Sequence, residues 1–153
     1  MKPDKRRKTD ERGSSVVEFA LVLPLFCMLL FGIVQYGLYF WSAQSAANAA
    51  RDGARRGAVG QTCAELTGTT TSLVKFAQAT PVVTRRYYAE TDTAFASPTS
   101  AATGRNVRVV ITYNSTNFNF PFVPAPNGGA VEEVAVARVE NYNAGASSKW
   151  SNC

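Results

Sequence analysis

"RGSSVVEFALVLPLFCMLLFGIVQYGLYFW", residues 12–41, decides the fold. From Phe19 to Trp41 it holds 23 consecutive positions without a charged side chain, and Gln35 is the only strongly polar one among them. At 1.5 Å per residue these positions make a helix of roughly 35 Å, enough to cross a hydrocarbon core of about 30 Å. Tyr36, Tyr39 and Trp41 close the run at its far end, where amphipathic rings favour the headgroup level of a bilayer. Pro24 lies inside the run and removes one backbone donor, which predicts a kink or a local loosening. One residue fits this solvent badly. Glu18 puts a carboxylate at the start of the run, five residues past Gly13.

Upstream of the run, residues 1–13 carry six basic and three acidic side chains, and the rest of the chain carries ten against eight. Most of the net charge of +5 therefore belongs to the head, as expected for the flank of a membrane segment. Residues 1–13 read as a cytoplasmic, disordered basic leader, since nothing in them can build a core. Basic residues before the span and aromatics after it predict the N-terminus in the cytoplasm and the C-terminal part outside. Nucleic acid is not an expected partner: Arg85, Arg86, Arg105 and Arg108 are the only downstream candidates, and a solvated strand face accounts for them.

Downstream, "SAQSAANAARDGARRGAVG" continues the helix, giving a second unit over 14–60. Ala43, Ala46, Ala47, Ala50, Ala54 and Ala58 form a stripe of small side chains on it. Such a face suits either the chain's own outer domain or a neighbouring subunit. Asp52 can reach Arg55 and Arg56, and Gly57 and Gly60 are expected to end the helix. The remainder, 61–153, reads as one α+β domain outside the membrane. It has a second helix over 62–78, then three strands at 82–90, 106–114 and 131–142 that form a small antiparallel sheet on the long helix. In the loop 115–130, Phe118, Phe120 and Phe122 alternate ahead of Pro124 and Pro126, as an exposed ridge or as cover for the core.

The chain contains no histidine, which excludes Ser-His-Asp and Cys-His nucleophile systems and imidazole metal sites. No paired-acid motif and no Gly-rich phosphate loop appears, and Cys27, Cys63 and Cys153 have no metal-ligand spacing. A non-enzymatic protein without cofactor or metal is expected. Cys27 reads as an apolar filler within the span. Cys63 and Cys153 both fall on the outer side, where a disulfide between them would tie the last residue to the second helix; two free thiols or pairing with another protein are the competing readings.

Three routes compete for the apolar segment. A secretory signal needs a shorter apolar stretch, with Ala47-Asn48-Ala49 as its small-x-small site. A plain signal anchor gives no reason for Glu18. The third route cuts before the apolar run and leaves the span in the mature chain. On this route "RG", "SSVVEFALVLPL" and "FGIVQYGLYFWSAQSAANAARDGARRGA" resemble the TadE-like pseudopilins of tight-adherence (Flp) pilus systems. The resemblance covers roughly residues 12–60, with a looser likeness in the helix and strands that follow, up to Ala135–Glu140. It implies cleavage between Gly13 and Ser14 by a prepilin peptidase, and an assembly role for Glu18 as fifth residue of the mature chain. The partners it implies are other pilin and pseudopilin subunits, the peptidase and the inner-membrane platform proteins, with the lipid bilayer around the helix. The function it implies is that of a minor pseudopilin supporting surface attachment. The alternative is a membrane-anchored envelope binding module with no pilus role.

Overall fold

The 48-residue helix α1 (Glu11–Ala58) is roughly 72 Å long at the rise of an α-helix. The computed structural model describes residues 11–153, so most of the expected basic leader lies outside the described residues. The described helix includes Glu11–Gly13 ahead of Ser14 and runs unbroken through Pro24. Once a long helix is nucleated, each further residue adds one bond for two fixed dihedrals, so Gly13 does not stop it.

The two halves of α1 have different surroundings. Val16, Phe19, Leu21, Leu25, Leu29 and Ile33 are all exposed, and this stretch is long and apolar enough to cross a membrane. Higher up, Ser42, Ala46, Ala49, Ala50 and Ala54 are buried. Ala46, Ala50 and Ala54 of the small-residue stripe thus pack on the chain's own outer domain together with Ala49. Ala43 and Ala58 are partly buried at the margins, whereas Ala47 is only half-buried and outside that core. Gly53 and Gly57 belong to the same face. A Cβ on Gly53 would come to 3.1 Å from Thr70 Oγ1, and one on Gly57 to 3.1 Å from both Arg85 Cδ and Val107 Cγ2. Gly57 therefore lies inside the helix, where close approach requires it. Of the two arginines in reach of Asp52, Arg56 forms the ion pair.

Gly60, at φ +79°, turns the chain out of α1. Helix α2 (Cys63–Leu73) then starts with a capping box: the Thr62 hydroxyl accepts from the Glu65 N–H, and the Glu65 carboxylate accepts from the Thr62 N–H. It stops five residues short of the expected Gln78. Thr69, Thr71 and Ser72 turn their hydroxyls back onto carbonyls one turn earlier, a competition that weakens helices, and the Lys75 N–H bonds Ser45 Oγ on α1 instead.

The sheet is antiparallel with four strands rather than three, in the order β2-β1-β3-β4: β1 (Val82–Tyr88), β2 (Pro98–Thr99), β3 (Asn106–Asn114) and β4 (Ala130–Arg138). The additional strand is a two-residue edge within the loop 91–105, pairing with Tyr87 and Tyr88. Strand β4 ends at Arg138 because Val139 donates to Arg105 O and accepts from the Gly104 N–H, leaving the ladder. Register pairs Arg85 with Val109 and Val109 with Ala135, so period-two alternation sends Val83, Arg85, Tyr87, Val107, Val109, Ile111 and Val131 to the face covered by α1 and α2. The core is this sandwich, closed at its upper end by Trp150 against Tyr87 and Tyr142.

The carboxy-terminal segment returns to β1. Arg85 and Cys153 exchange both backbone bonds, at 2.8 and 2.9 Å, on the edge of β1 that β2 leaves free. Cys63 and Cys153 are joined as a disulfide with Cα atoms 6.1 Å apart, 90 residues separated in sequence.

Candidate functional site

At the lower end of α1, Gly13, Ser14 and Glu18 lie on one continuous helix and are exposed among the described residues. Ser14 and Glu18 are one turn apart, and the Ser14 hydroxyl lies 3.4 Å from Glu18 Oε1 as donor. A Cβ on Gly13 would meet nothing within 4 Å, so packing inside the chain does not require glycine there. Glycine in a helix costs roughly 0.5–1 kcal/mol relative to alanine. The same openness holds at Gly32 and Gly37; what sets Gly13 apart is its place five residues before the acid.

The upper end of the apolar run is built differently. Gln35 is fully buried, although most of the run beside it is bare. Its Nε2 donates to Thr116 O at 3.3 Å, and its Oε1 accepts from the Phe118 N–H at 3.1 Å. Both ends of the amide are thus occupied by the backbone of the loop between β3 and β4. One turn below, Phe31 stacks on Phe120 with ring centroids 4.6 Å apart, and Phe120 stacks on Phe118 at 5.5 Å. One turn above, the Tyr39 hydroxyl donates to Ala130 O at 3.2 Å. Tyr36 and Trp41 are exposed, and the Trp41 ring lies 5.2 Å from that of Phe76. The three loop phenylalanines therefore divide. Phe120 covers α1, Phe118 is half-exposed, and Phe122 is 86% exposed.

Gln35 as an anchor for the loop was not foreseen. The signal available was a lone amide in an apolar run, a group that is costly there unless its donor and acceptor are both met.

Of the four arginines weighed as nucleic-acid candidates, Arg85 is not on a solvated face but fully buried. Its guanidinium donates to Ser151 O at 2.6 Å, to Gln61 O at 2.6 Å and to Cys63 Sγ at 3.3 Å. Burial lowers its pKa, and burial likewise raises that of the neighbouring Tyr87 phenol, which donates to Gly57 O at 3.1 Å. A cation held by carbonyls near the C-terminus of α1 also meets the negative end of that helix's dipole. This cluster fastens α1, β1, the disulfide and the C-terminus together. Arg86 and Arg108 pair across β1 and β3 on the opposite face, where the Arg108 guanidinium lies over the Phe95 ring at 5.7 Å.

Comparison with known proteins bears on the first of these places. The model of the family described as TadE-like protein matches residues 13–55, a segment that starts at Gly13 and takes in Ser14, Glu18, the apolar run and most of the small-residue face. No curated protein and no solved structure matches the chain.

Proposed function

We propose that this chain is a pseudopilin of a tight-adherence pilus system, held in the bacterial cytoplasmic membrane by α1 with its sheet domain outside. A prepilin peptidase cuts it between Gly13 and Ser14, and it serves as a minor component of the pilus or of its assembly machinery. The observation that carries this reading is the spacing Gly13-x4-Glu18 at the head of a TadE-like segment, followed by an uncovered apolar helix.

The chemistry of the proposed site follows from the cut. Hydrolysis after Gly13 leaves an α-amino group on Ser14, cationic near neutral pH. The shortened helix then begins one turn before Glu18, where the positive end of its dipole favours a carboxylate. A carboxylate at the edge of hydrocarbon is costly unless paired, by a few kcal/mol on insertion scales. An α-amino group from a staggered neighbouring subunit supplies the partner, and the pair sets the register between helices in a bundle. Other pilin subunits and the inner-membrane platform proteins are then the partners of α1. The sheet domain, packed on its own helix, leaves the lower half of α1 for them.

The N-terminal residue of the mature protein tests the proposal. Ser14 is expected; an N-terminus at the native start or near Ala50 overturns the processing step and favours a plain anchor or a secreted module. Gly13→Phe should leave full-length precursor in the membrane. Glu18→Gln should be cut and inserted normally yet fail to enter the assembled pilus, and normal incorporation of that variant would remove the pairing role.

A further inference from the structure

The loop between β3 and β4 has an unusual composition for an exposed connection. From Ser115 to Gly129 it holds no charged side chain, and it presents three phenylalanines within five residues. Phe122 occupies the left-handed region at φ +65°, which is strained for a bulky residue, and its ring is 86% exposed. Phe118, in the same loop, is 49% exposed.

The position of this loop along α1 says what would cover it. With Glu18 at the inner edge of a hydrocarbon core about 30 Å thick, a rise of 1.5 Å per residue brings the outer edge about twenty residues on, near Leu38. Phe31, on which Phe120 stacks, then lies about 10 Å below that edge, and Gln35 about 5 Å below. Those are depths at which interfacial protein segments lie among headgroups and upper acyl chains. Part of the loop backbone is furnished for that medium. The Phe118 N–H and Thr116 carbonyl are taken by Gln35, the Asn119 N–H by Asn117 Oδ1, and the Val123 N–H by Phe120 O. Irregular backbone at membrane depth has to be satisfied by the protein itself. Trp41 against Phe76, and Tyr39 bonded to Ala130, continue the aromatic surface upward to the headgroup level.

We infer that the loop 116–125 is a second membrane contact of this protein: it is pinned to α1 through Gln35 and Phe31, and it inserts Phe118 and Phe122 into the outer leaflet beside the span. The occupant of this apolar surface is lipid, because the surface is continuous with the bare face of the spanning helix. The loop so placed fixes the height and tilt of the sheet domain over the bilayer, which a lone helix does not. The inference rests on α1 crossing the membrane, and it stands apart from processing at Gly13 and from any pilus role.

A nitroxide collision experiment on the full chain in phosphatidylethanolamine–phosphatidylglycerol vesicles tests it. The label is placed at Phe122→Cys, and separately at Phe118→Cys, in a Cys27→Ser background with the disulfide left intact. Collisions with oxygen, which concentrates in hydrocarbon, should exceed those with a water-soluble nickel chelate several-fold at both sites. A label at Thr103→Cys, on the turn before β3 at the opposite end of the domain, should show the reverse. Nickel-favoured collisions at 118 and 122 would place the loop in water, and low collision rates with both reagents would place it against another protein chain; either result overturns the inference. A label on the native Cys27 separates the premise from the proposal. Oxygen-favoured collisions there with nickel-favoured ones at 118 and 122 discard only the loop contact, whereas nickel-favoured collisions at Cys27 discard the span and the loop contact together.

Discussion

Gly60 carries the chain from α1 toward α2 with φ +79°, and a Cβ placed there would come to 2.5 Å from the Trp150 ring. Two separate costs fall on any replacement: about 1–2 kcal/mol for the left-handed backbone, and about 1–3 kcal/mol for forcing an atom into a packed site. Gly60→Ala is therefore expected to destabilise the outer domain by about 2–5 kcal/mol, read as a drop in the thermal midpoint of the full chain in detergent. An unchanged midpoint would mean that Trp150 moves aside without loss. Arg85 shows the complementary case, a residue whose role its neighbours in sequence conceal. "VVTRRYY" alternates regularly, and either arginine could face water on that pattern. The carbonyls of Gln61 and Ser151, brought in from both flanks, and Cys63 Sγ make the inward position of Arg85 tolerable.

At the scale of elements, the connection between β1 and β2 depends on one carboxylate. Asp92 accepts from the N–H groups of Ala96 and Ser97, at 3.2 and 2.9 Å, and these bonds hold its pKa below the ordinary aspartate value. A depressed folded-state pKa means that the contribution is fully present above the unfolded value, near 3.9, and disappears as pH falls through the folded one. The turn 92–97 should loosen on acidification below about pH 4, seen as faster hydrogen exchange at Ala96 and Ser97 while β3 amides keep their protection, after correction for intrinsic rates. Equal loss of protection in both places would show that acid acts on the whole domain instead. Helix α2 shows a different limit of local reading. Its start at Thr62 and Glu65 has a recognisable capping signature, but its end depends on Ser45 of α1 taking the Lys75 N–H, a partner 30 residues away.

For the molecule as a whole, the outer domain is small and is held at both ends by α1 and by the Cys63–Cys153 bond. Closing a loop with 90 residues of separation contributes roughly 4–5 kcal/mol in the loop-entropy account, with measured values often smaller. Removing it also frees the Arg85–Cys153 backbone pair and loosens the segment that carries Trp150. Cys63→Ser with Cys153→Ser is expected to lower the domain's thermal midpoint by more than about 10 °C, since 1 kcal/mol corresponds to about 4–8 °C for a domain of this size. A midpoint equal to that of the native chain under oxidising conditions would mean that the backbone pairing alone holds the C-terminus.

By itself the sequence determined the elements whose information is local and periodic. The uncharged run 19–41 specifies a long apolar helix, period two specifies β1, β3 and β4, and the interval from Gly13 to Glu18 with the residues around it carries the likeness that the family match shares. The tertiary structure decided whatever depended on contacts between distant segments. It turned most of the alanine stripe inward, kept Gly57 inside α1, buried Arg85, added β2 at the sheet edge and divided Phe118, Phe120 and Phe122 between helix and exposure. The physical reason is that a side chain's burial depends on which surface arrives opposite it. Gln35 and Thr116 are 81 residues apart, and no pattern within either segment records that they meet.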